Sequence, residues 1–254
     1  MNSPIAYLGG KSRLAKTIIA RIPKDHECYC EPFCGAAWVF FQKDPSGPEV
    51  INDADAELVT FWRVIQNHLP AFIDFFKWAV VSRKVFDLEN LKRPETLTDI
   101  QRAARYFYIQ RLCFGGKTRS RVYGTVTSGS PRLNLSALEE TLLAVHWRLE
   151  KVVIECLDAL ECIRLYDRHH TLFFVDPPYF GGESDYAVRF DRYQALADLL
   201  AGIKGRFILS LGDCKEARSI FKPFRISTVT LKYTVGRSAL SRSPSRSELI
   251  IQNF

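Results

Sequence analysis

Residues 172–175, Leu-Phe-Phe-Val, form an unbroken apolar run, and Asp176-Pro177-Pro178-Tyr179 follow it directly. A short run with no polar face reads as a strand buried on both sides, the kind found in parallel sheets. Open α/β sheets hold their ligands at the carboxyl ends of such strands, and the tetrapeptide stands at that end. Its two prolines fix φ and remove backbone donors, so the carbonyls nearby are held rigid. A carboxylate (Asp176), a fixed carbonyl (Pro177) and an aromatic face (Tyr179) then lie close together. That set suits a planar heterocycle with an exocyclic amine: two hydrogen bonds accepted from the amine, and the ring stacked on Tyr179. The same four residues are also compatible with a plain turn after a strand.

The rhythm around this strand supports an α/β fold. Helical spacing at 12–22, 36–42 and 56–67 alternates with short strand candidates at 28–30 and 49–52. Strand and helix signals return at 152–154, 172–175, 192–200, 207–211 and 215–221. Two final strands, 224–235 and 248–252, are expected to pair antiparallel, with a Ser/Arg-rich loop at 238–247 between them. The middle of the chain lacks this rhythm. Helices are expected at 70–82, 98–112 and 136–146, and a Gly/Ser/Thr/Arg-rich loop with a hairpin arm at Arg121-Val122-Tyr123 lies between the last two. This divides the 254-residue chain into a sheet domain, 1–60 with 150–254, and a mostly helical insert, 61–149.

The net charge of +7 is concentrated in that insert. Residues 61–150 hold 14 Lys/Arg against 8 Asp/Glu, and the stretch 117–132 carries Lys117, Arg119, Arg121 and Arg132 with no acid. A second acid-free basic stretch runs over 222–246. A polyanion such as nucleic acid is the expected partner, and these four insert residues are the candidates for contact. A basic but merely solvated surface is the alternative. No apolar run is long enough to span a bilayer, and no leader pattern opens the sequence, which favours the cytoplasm.

Several short motifs end on strand-to-helix junctions. Gly9 and Gly10 allow close backbone approach to a ligand, and Lys11 can meet a carboxylate. Gly10-Lys11-Ser12 is not a phosphate loop, because Ile5 stands where that loop needs glycine and no strand precedes it. Glu31-Pro32-Phe33-Cys34-Gly35-Ala36-Ala37 brings small residues to a helix N-terminus. Asp53 follows the second strand, where doubly wound folds place an acid on ribose hydroxyls. Asp158 is a third such acid, placed to receive an adenine amine. Cys28, Cys30 and Cys34 lack zinc-finger spacing and are expected to be buried apolar residues, so no metal is expected.

Taken in order, Tyr7-Leu8-Gly9-Gly10-Lys11, Glu31-Pro32-Phe33-x-Gly35, Asn52-Asp53, a basic insert and Asp176-Pro177-Pro178-Tyr179 resemble the Dam-type, alpha-class DNA adenine methyltransferases. The resemblance runs from about residue 7 to residue 248 and includes Phe207-Ile208-Leu209-Ser210 and Glu248-Leu249-Ile250. It implies a doubly wound, Rossmann-like methyltransferase sheet with an antiparallel C-terminal hairpin, and it makes the insert the target-recognition domain. It implies S-adenosylmethionine as cofactor, contacted by Tyr7, Gly10, Lys11, Phe33, Gly35, Asp53, Asp158 and Asp176. It implies methyl transfer to the adenine amine of a flipped base in duplex DNA, with Asp176, Pro177 and Tyr179 at the reacting centre, by a monomer or a weak dimer on DNA. Adenine methylation of this kind is also used in restriction–modification. A cytosine amine is the runner-up substrate, and a catalytically silent DNA-binding protein is the rival of another class. Two departures bear on the cofactor pocket. Ala37 stands where the family's loop has a further glycine, and Trp38 where it has a small residue; both are expected to tighten the pocket. Arg192-Tyr193 stands where Asp-His is frequent.

Overall fold

The computed structural model describes residues 1–129, 132–231 and 246–254. Its elements run, in chain order, α1 (Ala15–Ile19), β1 (Cys28–Glu31), α2 (Trp38–Gln42), β2 (Glu49–Asn52), α3 (Ala56–Asn67), α4 (Leu69–Asp74), α5 (Arg83–Leu91), α6 (Asp99–Leu112) and α7 (Leu138–Leu149). They continue with β3 (Val152–Glu155), α8 (Ala159–Tyr166), β4 (Thr171–Val175), α9 (Tyr193–Gly202), β5 (Arg206–Gly212), α10 (Lys215–Ile220), β6 (Arg225–Leu231) and β7 (Arg246–Gln252). The strands form one seven-stranded sheet in the order β3-β2-β1-β4-β5-β7-β6. β1 to β5 are mutually parallel, and β7 pairs antiparallel with both β5 and β6. The α/β sheet and its antiparallel C-terminal hairpin are therefore as the sequence implies. Winding goes outward from β1 through β2 to β3 on one side and from β4 to β5 on the other. The order reverses between β1 and β4, which makes the crevice beyond their carboxyl ends the natural ligand site.

Strand residues alternate between two apolar layers, as the two-residue period demands. Leu172 and Phe174 of β4 face one cluster, which also contains residues of α1, α2, α3 and the helices of the 61–149 segment. Phe173 and Val175 face the other, built with α8, α9 and α10. The 61–149 helices thus share a core with the sheet: Phe61 and Trp62 of α3 and Phe107 of α6 are buried in the same cluster as Phe40 and Ile51. A buried ionic contact joins them as well. Glu49 of β2 takes Lys43 at 2.5 Å and both guanidinium arms of Arg148 of α7 at 2.5 and 2.9 Å, and the guanidinium lies 3.7 Å from the Phe40 ring centroid.

Local chemistry sets the boundaries. Asp55 caps α3 through the Glu57 N–H, and Thr98 with Gln101 forms a reciprocal capping box on α6. The helix expected over 70–82 stops at Asp74, and a separate helix, α5, begins at Arg83. The β-branched pair Val80-Val81 lies in the break. There the Tyr108 hydroxyl donates to the Val80 carbonyl at 2.8 Å and accepts from the Ser82 N–H at 3.1 Å, replacing helical partners. α8 was not foreseen. The hairpin arm proves to be a single bridge between Cys113 and Tyr123. Of the 238–247 stretch only residues 246 and 247 are described, and both lie in β7. Among the described residues no helix is long and apolar enough to cross a membrane.

Candidate active site

A cavity of about 880 Å³, counted with its open mouth, lies at the β1/β4 switch point. Tyr7, Gly10, Lys11, Phe33, Gly35, Asp53, Asp158 and Asp176 all line it. The eight come from five segments that meet only because the parallel strands end at one edge of the sheet.

The floor is set by glycine. Gly35 has φ 47°, and a Cβ there would sit 3.1 Å from the Tyr7 ring. Its N–H donates to Asp53 Oδ2 at 2.9 Å, tying the loop after β1 to the end of β2. Asp53 Oδ1 accepts the Asp55 N–H at 3.0 Å. Burial pushes the Asp53 carboxyl up to about 6, against the pull of these backbone donors. Burial, with Asp53 beside it, also holds the Tyr7 phenol well above its ordinary value. Asp55 Oδ2 is buried at the cavity wall with no hydrogen-bond partner among the described residues. Glu31 is buried too, held by Tyr29 Oη and the Phe40 N–H, and burial lifts its carboxyl to about 8.

The two departures from the family pattern have structural counterparts. Ala37 adopts φ 51° and ψ 40°, the left-handed region, at a cost of roughly 1–2 kcal/mol that glycine would avoid. The chain keeps the loop geometry without the glycine. Trp38 lines the cavity with its indole Nε1 against Gly10, where a Cβ would come within 2.8 Å. Both residues line the cavity.

At the other end, Asp176 is held from two sides. Lys11 Nζ lies 2.7 Å from Oδ2 and also donates to the Gly9 carbonyl at 2.7 Å. Ser210 Oγ donates to Oδ1 at 2.7 Å. Burial raises the Asp176 carboxyl, and Lys11 and Ser210 counter part of that rise. Both prolines are buried; Pro178 lines the cavity and Pro177 does not. Tyr179 stands beside the cavity, with Lys11 Nζ 4.7 Å from its ring centroid and its hydroxyl donating to Glu248. Tyr193, at the position where His is frequent, donates to the Pro178 carbonyl at 2.9 Å and so braces the tetrapeptide. Arg192 forms an ion pair with Asp158. With Asp158 Oδ1 also capping α8 through Leu160, both of its oxygens are engaged.

Sequence reasoning assigned no role to Ser210, Glu248, Tyr186 or Phe190. Ser210 left one signal, a hydroxyl inside the apolar strand 207–211. Tyr186 and Phe190 left none, because they lie on an aperiodic loop over the cavity, Phe190 edge-on to Phe33 at 4.9 Å.

The basic loop lies against the same edge. Leu8 donates to the Gly116 carbonyl at 2.9 Å, and Thr118 Oγ1 donates to the Asp185 carbonyl at 3.0 Å. Lys117 and Arg119 are exposed. Arg121 and Arg132 are turned inward. The Arg121 guanidinium lies 5.3 Å from the Tyr106 ring centroid, and Arg132 donates to the Cys113 carbonyl at 3.3 Å while packing under Gly124. Cys28, Cys30 and Cys34 are buried thiols.

A family model described as D12 class N6 adenine-specific DNA methyltransferase matches residues 7–235. The chain is similar to the type II methyltransferase M.CviBI of Paramecium bursaria Chlorella virus NC1A, 23% identical over 262 residues and covering 100% of both chains. It is also similar to the DNA adenine methylase of Haemophilus influenzae, 21% identical over 257 residues, covering 94% of this chain and 89% of that one. The DNA N-6-adenine-methyltransferase of Escherichia phage P1 is 25% identical over 211 residues, covering 76% of this chain and 27% of the phage protein.

Proposed function

The chain belongs to the D12 class of N6 adenine-specific DNA methyltransferases, and from that membership we propose residue roles for methyl transfer to adenine in duplex DNA. The donor is S-adenosylmethionine, which supplies an electrophilic methyl on a sulfonium and so needs no metal or covalent intermediate. The cavity suits it. Asp53 at its wall favours a cationic ligand, and Asp55 Oδ2, without a hydrogen-bond partner among the described residues, would accept from a donor. Asp53 would accept from ribose hydroxyls, Phe33 would face the purine of the donor, and Tyr7, Gly10 and Gly35 would shape the backbone approach. Asp158, already paired with Arg192, would offer its remaining lone pairs.

The target adenine's amine is a poor nucleophile because its lone pair is delocalised into the ring. Asp176 would accept one amine hydrogen and the Pro177 carbonyl the other, localising that pair as charge develops. Ser210 and Lys11 hold the Asp176 carboxylate in place, so little reorganisation is needed when the amine arrives. The base would have to leave the duplex, at a cost of a few kcal/mol. Stacking on Tyr179, worth roughly 1–3 kcal/mol, would offset part of that cost. Residues 61–149 would read the target. Lys117 and Arg119 would touch DNA, while Arg121 and Arg132 would hold their loop in shape. We place the protein in the cytoplasm as a monomer or a weak dimer on DNA.

The observation that carries this reading is the Asp176 carboxylate fixed between Lys11 and Ser210 at the cavity's end. Long-read sequencing of DNA from cells expressing the chain should report N6-methyladenine in a defined context. Asp176→Ala should abolish that signal while DNA binding persists. Undiminished methylation by the variant would remove Asp176 from its role.

A further inference from the structure

β5 and its antiparallel neighbour β7 hold the two ends of the catalytic tetrapeptide through matched positions. Ser210 and Gly212 are two residues apart on β5 and so point to the same face. Ser210 binds Asp176. Gly212 lies against Tyr179: a Cβ at that position would come within 3.1 Å of the ring carbon Cδ2. The cross-strand partner of Gly212 is Glu248, and the Tyr179 hydroxyl donates to Glu248 Oε2. Glu248 itself is buried, 6% exposed. Lys11 Nζ approaches the same ring, 4.7 Å from its centroid. A ring free to rotate would lose stacking geometry. This one is confined by bare backbone at Gly212, a carboxylate at its hydroxyl and an ammonium over its ring.

We infer that Gly212 and Glu248 form a seat for Tyr179, and that Glu248 is a positioning residue which presents the tyrosine ring to the target adenine. The inference rests on the proposed role of Tyr179 in stacking that base. Burial, Asp176 and Glu248 together hold the Tyr179 phenol well above its ordinary value, so it remains a neutral donor throughout the working pH range. A carboxylate acceptor makes the bond stronger than a neutral one would. With the hydroxyl anchored, less torsional freedom has to be given up when the base stacks.

The test uses the full-length protein, S-adenosylmethionine and a duplex carrying the mapped target, with 2-aminopurine replacing the target adenine for fluorescence. Glu248→Ala and Tyr179→Phe should each lower kcat about ten- to a hundredfold and reduce the 2-aminopurine signal, with cofactor Kd nearly unchanged. The double variant should be no worse than the slower single one, because both remove the Tyr179–Glu248 bond. Glu248→Gln, which keeps an acceptor oxygen, should recover most of the rate. Additive losses in the double variant would overturn the inference. So would a Glu248→Ala enzyme as fast as the parent while Tyr179→Ala is inactive; that outcome leaves the stacking role of Tyr179 intact. A fully active Tyr179→Ala enzyme would instead refute the stacking role, and the seat with it.

Discussion

Replacing Ser210 with alanine deletes one oxygen at the reacting centre and little else. The side chain is fully buried on β5, so water has no ready access to replace the hydroxyl. Its Oγ donates to Asp176 Oδ1 at 2.7 Å, and among the described residues Lys11 is the other side-chain partner of that carboxylate. A hydrogen bond to a charged group contributes about 1.5–3 kcal/mol, so a bond fully used in the transition state corresponds to roughly ten- to 150-fold in rate. A second consequence concerns pH. Burial already raises the Asp176 carboxyl, and the Ser210 bond is one of the interactions that lower it. Without it the carboxyl rises further. In the proposed role of Asp176 the amine needs the ionised form as acceptor, so activity should be lost as pH falls through the Asp176 value. In Ser210→Ala that acid limb moves to higher pH. Single-turnover methyl transfer at saturating DNA and cofactor, measured across pH, isolates the chemical step from product release. A rate within about twofold of the parent, with the acid limb unmoved, would refute the claim that Ser210 preorganises Asp176.

Two further outcomes are expected. Asp53 titrates at about 6, and its charged form accepts from the Gly35 N–H. Cofactor binding measured calorimetrically should therefore weaken as pH falls through about 6, and Asp53→Asn should abolish that dependence; equal affinity above and below this value would remove Asp53 from the cofactor site. Lys117→Ala and Arg119→Ala should each weaken DNA binding and reduce the slope of log Kobs against log salt by about one, whereas Arg121→Ala and Arg132→Ala should lower thermal stability. Unchanged salt slopes for the first pair would move the DNA contact elsewhere.

The parts of the site that lie on strand ends were legible from sequence, because a strand's apolar run fixes where its carboxyl end falls. Asp176 after residues 172–175 and Asp53 after 49–52 were found in this way, and both line one cavity. The loop 7–11 was legible through its glycines, read as allowing close backbone approach; in the fold Gly9 also takes a positive φ of 73°. The 180–192 loop carries no period, so the contribution of Tyr186 and Phe190 to the cavity wall left no trace. The inward turn of Arg121 and Arg132 was also invisible. A basic tract looks the same whether a guanidinium faces solvent or a ring, and here Tyr106 and Phe114, apart in sequence from the arginines they attract, decide the matter. α8 escaped notice because Asp158 read as a ligand before it read as a cap, and in the fold it is engaged as a cap.

The single apolar mass shared by the sheet and the 61–149 helices limits how such a protein can acquire a new target. Exchanging the whole segment would unpack Phe61, Trp62 and Phe107 from the face of the sheet and leave the Glu49–Lys43 pair without Arg148. Taking one partner out of a buried charge cluster is costly, so on the proposed role of residues 61–149 the segment does not behave as a detachable cassette. On the same proposed role, change would fall on the short solvent-facing stretch around Lys117 and Arg119, which are exposed and flank Thr118, bonded to the loop over the cavity.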